Sequence, residues 1–297
     1  EDELRELFRF RDFDHFLDVY MAVNQLVRTP DDVQSLVEGL GRDLAAVNIR
    51  YAEVTVTADS HLMAGMDPAG VAEALSAGRA ATLAMTGVEL AYTYDINGAH
   101  GLAGAERTIS WAERFPAEGS VGFGLGGPEA GAPRTAYADA FRRARDIGLA
   151  SVPHAGETTG PQSIRDSLDA LGAARIGHGI AAAQDPTLMA ELVERDVVLE
   201  VCPTSNVCTR AVDSLEEHPF TILRDAGVRL TLNSDDPGMF DTDLNREYVI
   251  AHEVFGVDRG GLVDLARESV RSSLAAQPIK DRILAEIDDY AAATLTA

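Results

Sequence analysis

The sequence is poor in cysteine and has no long apolar run. Its 297 residues include only two cysteines, Cys202 and Cys208, which match no C-x-x-C metal motif, and a chain of this length needs no disulfide framework. No apolar run reaches the roughly 18 residues of a membrane-spanning helix, and the acidic start at residues 1–6 is unlike a signal peptide. We therefore expect a soluble protein of the cytoplasm.

Basic residues are also scarce. The sequence has 25 Lys and Arg against 48 Asp and Glu, which gives a formal net charge of −23. Nucleic acids and anionic membranes both bind basic protein surfaces. We therefore expect neither of them as a partner, and we expect most of the carboxylates to lie on solvated helix surfaces.

Helical and strand patterns alternate along the whole chain. Apolar residues from Phe13 to Met21 recur at steps of three and four, which predicts an amphipathic helix, and Thr29-Pro30 supplies an N-cap and a proline for the next helix. The predicted helices cover residues 13–28, 30–46, 67–83, 103–115, 134–147, 161–171, 185–195, 219–226, 242–254, 259–274 and 279–294. The predicted strands cover residues 49–57, 88–96, a stretch ending at 122–129, and residues 151–154, 175–178, 197–201 and 228–233.

Strict alternation is typical of parallel strands joined by right-handed helical crossovers. It leaves two architectures open, a doubly wound open sheet and a closed (β/α)₈ barrel. The predicted strands are one short of the number that closes a barrel. Because the chain begins in a helix, the missing unit would be the first strand and its crossover.

Polar residues follow several of the predicted strands at the point where each strand ends. His154 ends one strand and Glu157 follows three residues later, His178 ends the next, and Asp235-Asp236 follows the last. Active sites of parallel α/β folds lie at the carboxyl ends of the strands. A neutral imidazole that binds a metal, with an acid that moves protons, is one chemistry that this pattern can support.

Other readings of these residues are open from the residues alone. A lone histidine beside apolar residues is more often part of the core, and Asp235-Asp236 before Pro237 is also typical of a turn or a helix cap. We assign the other five histidines to the surface or the core, and Cys202 to a buried apolar position. The glycine pattern at 122–127 matches G-x-G-x-x-G, but Pro128-Glu129 follows where a dinucleotide-binding fold would start a helix, so we do not favour that fold.

Four motifs in order carry a family resemblance. After a G-L-G-G-P-E turn the chain reads H-A-G-E, R-I-G-H-G, C-P-T-S-N and S-D-D-P, and in this it resembles the adenosine deaminase family of the amidohydrolase barrels. The resemblance implies a TIM-type (β/α)₈ barrel of the metal-dependent hydrolase kind, as a single domain over residues 1–297. Further stretches resemble the members that act on aminodeoxyfutalosine, an adenine nucleoside carrying a benzoate.

The resemblance also implies a role for each matching residue. His154 and Asp235 would bind Zn²⁺, and His178 would contact the attacking water. Glu157 would protonate the purine ring nitrogen next to the attacked carbon, and Asp236 would bond the nitrogen on the imidazole side. Residues expected to contact the purine nucleoside or its benzoate are Gly127, through its amide, Phe16, Tyr20 and Arg210.

One departure from the family pattern concerns the metal. The family's first strand ends in a His-x-His pair that supplies two further zinc ligands, and the sequence contains no His-x-His. We therefore expect the first β-strand unit to be absent from this sequence, so that the domain is incomplete at its amino terminus. Two alternatives to the deaminase remain, an inactive purine-binding barrel and an amidohydrolase acting on another ring amine such as adenine.

Overall fold

Helices and strands alternate through residues 6–295, which are the residues that the computed structural model describes. The helices are α1 Phe13–Asn24, α2 Pro30–Ala46, α3 Ala58–Met63, α4 Pro68–Thr86, α5 Gly101–Arg114, α6 Ala138–Asp146, α7 Pro161–Ala170, α8 Pro186–Glu194, α9 Pro203–Cys208, α10 Phe220–Asp225, α11 Pro237–Phe240, α12 Leu244–Glu253, α13 Arg259–Ser272 and α14 Gln277–Leu295. The strands are β1 Tyr51–Val56, β2 Glu89–Asn97, β3 Ser120–Gly126, β4 Ala150–Ser151, β5 His154–Ala155, β6 Arg175–His178, β7 Val198–Val201 and β8 Arg229–Leu232. None of the helices described is long and apolar enough to cross a membrane.

The strands form two four-stranded sheets, with orders β1-β2-β3-β4 and β5-β6-β7-β8. Strands that follow one another along the chain are neighbours in each sheet, and the pairs from β1 to β4 and from β6 to β8 are parallel. This order, with helices as crossovers, is the winding that the alternation predicts. The predicted strand at 151–154 is divided into β4 and β5 by Val152-Pro153, because proline has no N–H to donate to a ladder.

Most predicted elements are confirmed, and three short α-helices of the described residues are additional. The predicted starts at Pro30 and Pro161 match the observed ones, and Thr29 forms a capping box with Asp32 at the start of α2. The additional helices α3, α9 and α11 have four to six residues each and lie just after strands. Their sequences are too short to show a helical period, so the pattern analysis missed them.

The chain divides into two compact units. The amino-terminal unit comprises Leu17–His154 and Asp166–Ala174, and the carboxyl-terminal unit comprises the described residues up to Phe16 together with Ala155–Arg165 and the described residues from Arg175 onward. The predicted single domain therefore stays a prediction. The first sheet lies wholly in the amino-terminal unit, whereas β6, β7 and β8 lie in the carboxyl-terminal unit.

The amino-terminal unit has a core of aromatic and aliphatic side chains between its sheet and its helices. Tyr92, Tyr94, Phe123 and Phe141 are fully buried, and the Tyr94 ring lies edge-on to Trp111 with ring centroids 4.7 Å apart. The Trp111 indole N–H donates to the carbonyl of Pro68 at 2.9 Å. This core fixes the positions at which β2 and β3 end.

The carboxyl-terminal unit is anchored by polar contacts at both ends of its strands. At the start of β6 the buried Arg175 donates to Glu200 of β7 at 2.8 Å and to the carbonyl of Ser272 at 2.8 Å. Beyond β7, the carboxylate of the fully buried Glu247 accepts the backbone N–H of Thr204 at 3.2 Å and the hydroxyl of Thr242. Glu247 therefore holds the first turn of α9 against the segment before α12.

Gly179, directly after β6, has backbone and packing requirements that only glycine meets. Its φ is +70°, and a Cβ at this position would lie 2.6 Å from Cδ2 of the buried Leu199. Both conditions penalise any side chain. The left-handed backbone and the contact with Leu199 together account for glycine at the last position of R-I-G-H-G.

We expect Gly179→Ala to lower the midpoint of urea unfolding, with a destabilisation of about 1–3 kcal/mol from the left-handed backbone and the clash with Leu199. Gly260→Ala is the matched control, because Gly260 lies in the first turn of α13 and a Cβ there meets only Asp258 Oδ1 at 3.6 Å. The control should leave the midpoint unchanged or raise it. Equal midpoints for the two variants would contradict this account of Gly179.

Candidate active site

His154 opens β5, and its main chain is held within the amino-terminal unit. The buried guanidinium of Arg134 donates two hydrogen bonds to the His154 carbonyl, from Nε at 3.0 Å and from Nη2 at 2.6 Å. Arg134 Nη2 also lies 3.8 Å from the carboxylate of the buried Glu129, which is the last residue of the G-L-G-G-P-E turn. The turn after β3 therefore fixes the backbone at His154.

Glycine at position 126 leaves room for an acid beside His154. A Cβ on Gly126 would lie 2.7 Å from Asp95 Oδ2 and 3.6 Å from His154 Nδ1. The buried Asp95 of β2 and the His154 ring therefore border the same space next to β3. The absence of a side chain at this glycine therefore leaves space for polar groups at the end of the strand.

Glu157, His178 and Asp235 come together in the carboxyl-terminal unit. His178 Nε2 lies 3.7 Å from Glu157 Oε2 and 3.9 Å from Asp235 Oδ2. The side chains of His178 and Glu157 are 3% and 7% exposed, whereas that of Asp235 is 24% exposed, so the group is buried on one side and open on the other. Three residues predicted from separate strand ends thus converge.

Two of these residues have unusual backbone conformations. The φ of His178 is +58° and that of Asp235 is +55°, in the left-handed region that non-glycine residues rarely adopt. Such conformations cost of the order of 1 kcal/mol or more and are concentrated at functional sites. Both residues stand at or just beyond the carboxyl ends of their strands.

The carboxylates of this group repel one another. Asp236 is half-buried, and desolvation raises the pKa of its carboxyl well above the usual value, with further contributions from the charge of Asp235, a hydrogen bond to it, and the charge of Glu157. The Ser205 hydroxyl donates to Asp235 Oδ2 at 2.7 Å and holds that carboxylate in place. Asp236 therefore tends to keep its proton while Asp235 is held as an acceptor.

Glu157 is held by a threonine of the C-P-T-S-N helix region. The buried Thr209 hydroxyl lies 3.2 Å from Glu157 Oε1 and 2.9 Å from the carbonyl of Ser205. Its single proton can serve either oxygen, and its oxygen can also accept. Thr209 can therefore bond Glu157 in both of its protonation states.

A buried pair that the sequence did not predict lies behind His178. Asn206 Nδ2 is 3.1 Å from His178 Nδ1, and Asn206 Oδ1 is 3.1 Å from Nε2 of His218. The sequence assigns His218 to the surface or the core, and its connection to His178 is visible only in the fold. The place of Asn206 in the C-P-T-S-N motif is the signal that the sequence offers.

Phe16 lies in an aromatic cluster of the carboxyl-terminal unit. Its ring centroid is 5.2 Å from that of Phe240 and 5.3 Å from that of Phe10, and Phe10 is 5.8 Å from Phe240. Phe240 ends α11, which follows Asp236 directly. The start of α1 is thus packed on the helix that follows the two aspartates.

The other predicted substrate residues are placed as follows. Tyr20 of α1 and Gly127, with φ +75° after β3, lie in the amino-terminal unit, as does His154. Arg210 is exposed in the carboxyl-terminal unit, directly after the Thr209 that contacts Glu157.

The carboxyl-terminal unit contains donors for a metal ion. Ligand atoms of His178, Cys202 and Asp235 all lie within 4.8 Å of one another. Burial raises the pKa of the Cys202 thiol, and Sγ donates to the carbonyl of Glu200 at 3.5 Å, so this residue is a poor ligand because only thiolate binds metal well. Asp235, beside two further carboxylates whose repulsion a cation would relieve, is the better donor.

Comparison with known proteins identifies the relatives of this chain. A family model described as adenosine deaminase matches residues 1–290. The aminodeoxyfutalosine deaminase of Streptomyces coelicolor is 49% identical over 298 residues, covering 100% of this chain and 77% of that protein.

Solved structures show the same fold. The adenine deaminase of Arthrobacter aurescens superposes with a TM-score of 0.91 at 30% identity, covering 97% of this chain and 88% of that chain. An amidohydrolase of Burkholderia ambifaria with bound zinc gives a TM-score of 0.90 at 22% identity, covering 98% and 84%, a likeness of fold alone.

These matches confirm the predicted fold class, an α/β barrel of the metal-dependent hydrolase kind. They also carry the family assignment. With a family model that matches residues 1–290 and a relative 49% identical over the full length of the sequence, this chain belongs to the adenosine deaminase family of hydrolytic deaminases.

Proposed function

We propose that this protein is a zinc-dependent deaminase that converts a 6-aminopurine nucleoside to the 6-oxo product and ammonia, with aminodeoxyfutalosine as its substrate. The observation that carries the proposal is the convergence of Glu157, His178 and Asp235 at strand ends, next to an Asp236 whose pKa is raised. The name of the 49% identical relative supports the substrate. The partner is thus a small molecule.

His154 and Asp235 are the residues we assign to the metal. Each residue suits this role within its own unit, because Asp235 is held by the Ser205 hydroxyl among carboxylates that favour a cation, and the His154 backbone is fixed by Arg134. When bound, Zn²⁺ lowers the pKa of a coordinated water to about 7, so that hydroxide is available at neutral pH.

Glu157 is the proton donor in this proposal. The carbon that bears the amine is a poor electrophile until the neighbouring ring nitrogen is protonated, and a buried acid can supply that proton. Water oxygen then bonds to the carbon, the carbon–nitrogen bond to the amine breaks, and the amine takes one proton of the water and leaves as ammonia, while the other water proton returns to Glu157. Thr209 can bond Glu157 before and after the transfer, because its hydroxyl both donates and accepts.

Asp236, Gly127, Phe16 and Tyr20 bind the nucleoside. A protonated Asp236 can donate to the acceptor nitrogen on the imidazole side of the purine, which agrees with the raised pKa of this carboxyl. The Gly127 amide is assigned to the pyrimidine-side nitrogen. Phe16 and Tyr20, on one helix, cover the nucleoside, and the packing of Phe16 on Phe240 supports a position near Asp236.

A second candidate is adenine deamination, since the Arthrobacter aurescens structure with a TM-score of 0.91 is an adenine deaminase. The chemistry at the amine-bearing carbon is the same for adenine and its nucleosides. The substrates differ only in the group attached to the imidazole side of the purine. Ammonia release from adenine, adenosine and aminodeoxyfutalosine separates the candidates, using protein from the longest reading frame. Zinc-loaded protein without turnover on all three would leave the inactive purine-binding barrel.

Glu157→Gln is expected to lower kcat by about 10²–10⁴-fold, because the amide cannot deliver the proton, while KM changes little. Ammonia release under saturating aminodeoxyfutalosine measures the effect. Glu194→Gln, an exposed residue of α8, is the control and should keep full activity. A Glu157→Gln enzyme with near-normal kcat would exclude Glu157 as the acid.

Asp235→Asn should reduce zinc content, since a neutral amide is a weaker ligand than a carboxylate. Elemental analysis of purified full-length protein measures the zinc directly. Chelation of the parent enzyme should abolish ammonia release, and added zinc should restore it. Ser214→Ala, outside the cluster, serves as the control, and unchanged zinc in the Asp235 variant would remove that residue from the ligand set.

Arg210→Ala should lower kcat/KM for aminodeoxyfutalosine about 10- to 100-fold relative to adenosine, if the guanidinium forms a charge-assisted hydrogen bond with the benzoate. The measurement is the ratio of the two kcat/KM values, because a general loss of activity would lower both values equally. Arg259→Ala, an exposed arginine of α13, is the matched control. An unchanged ratio would remove Arg210 from the substrate site.

A further inference from the structure

A line of buried hydrogen bonds runs from the main chain to His178. The backbone N–H of Phe220 lies 3.1 Å from His218 Nδ1, His218 Nε2 lies 3.1 Å from Asn206 Oδ1, and Asn206 Nδ2 lies 3.1 Å from His178 Nδ1. Asn206, His178 and His218 are 0%, 2% and 3% exposed, so water does not compete for these contacts. All four residues belong to the carboxyl-terminal unit.

The backbone N–H of Phe220 determines which atoms donate and which accept along these hydrogen bonds. A backbone N–H can only donate, so His218 Nδ1 must accept and carries no proton. His218 is neutral, because burial and the neighbouring His178 lower its pKa to about 4. Its proton is therefore on Nε2, from which it donates to Asn206 Oδ1. The stacked Phe220 and Phe255 rings, with Phe255 5.4 Å from His218, hold this imidazole in place.

The orientation of the Asn206 amide determines which hydrogen bond His178 receives. With Oδ1 accepting from His218, Nδ2 faces His178 and donates to Nδ1. A reversed amide would place its NH₂ against the Nε2–H of His218, two donors face to face in a buried site, which costs about 1–3 kcal/mol or more. His178 Nδ1 is thus an acceptor, and a neutral His178 has its proton on Nε2.

We propose that Asn206 and His218 are positioning residues that fix His178 as the Nε2–H tautomer, so that it acts in the site as a hydrogen-bond donor. Nε2 faces the carboxylates of Glu157 and Asp235. A nitrogen that carries a proton has no lone pair for a metal, so the group of His178, Cys202 and Asp235 is not a ligand set. The role in deamination rests on the proposed function, in which this N–H bonds the oxygen that attacks the purine.

Nitrogen-15 NMR of full-length, zinc-loaded protein with labelled histidine tests the tautomer directly. At pH 7.5, His178 Nδ1 should show the chemical shift of an unprotonated imidazole nitrogen, and Nε2 should show a one-bond coupling to a proton. Loss of the resonance in His178→Gln gives the assignment. A protonated Nδ1 in the parent protein overturns the proposal, whatever the enzyme turns over.

Asn206→Asp keeps the shape of the side chain and reverses the direction of its hydrogen bond with His178 Nδ1. A carboxylate cannot donate, so it should accept from His178 Nδ1–H and move the proton to that nitrogen. The NMR signature should invert, and kcat should fall at least about 100-fold with KM within a few fold, as expected for a wrong tautomer. A variant that folds and retains an unprotonated Nδ1 contradicts the proposed direction.

Position 218 supplies a matched pair of variants. His218→Gln keeps an N–H that can donate to Asn206 Oδ1, whereas His218→Leu removes it at similar volume. The Gln variant should retain kcat within about 10-fold, and the Leu variant should fall about as far as Asn206→Asp. Equal kcat and equal NMR signatures for the two variants would mean that His218 only fills space, and would overturn its positioning role. Should the Leu variant fail to fold, the comparison of Gln with the parent and the NMR of the parent decide.

Discussion

The structure of the carboxyl-terminal unit depends on the burial of several carboxylates around one imidazole. Like charges at such distances would drive the strand ends apart unless protons, donors or a cation offset them. Ser205 donates to Asp235, Thr209 bonds Glu157, and the pKa of Asp236 is raised so that this carboxyl tends to stay neutral. Ser205 lies in the short helix that begins at Pro203 and Thr209 directly follows that helix, so the helix after β7 places both hydroxyls.

How much of this was visible in the sequence differs between the fold and the site. The parallel strands and long helices were predictable, because their apolar periods and caps such as Thr29 are local signals. Because those strands were predicted, the positions of His178 and Asp235 at or after their ends were predicted as well. The contact of His218 with Asn206 could not be predicted, since it joins a loop before α10 to α9 through packing that no local pattern encodes. The short α3 and α11 were missed for lack of a period.

In the proposed function, the chemistry at the purine ring and the choice of nucleoside depend on different parts of the chain. Glu157, His178 and Asp235 lie at strand ends whose geometry the fold fixes, and relatives named for adenine and for aminodeoxyfutalosine share that fold. Arg210 is exposed on a segment outside the helices and strands. Such segments change with little effect on a core, so relatives with one fold can differ in such a segment.

The left-handed backbone of Asp235 has a consequence for engineering. Glycine would adopt a φ of +55° without steric cost and would remove one of several neighbouring carboxylates, so selection for thermal stability alone would favour glycine at this position. His178, with φ +58°, differs because its buried ring bonds Asn206, and its loss would leave a cavity and an unpaired amide. Libraries aimed at a more robust enzyme should therefore keep codon 235 fixed, because there stability and activity select for opposite residues.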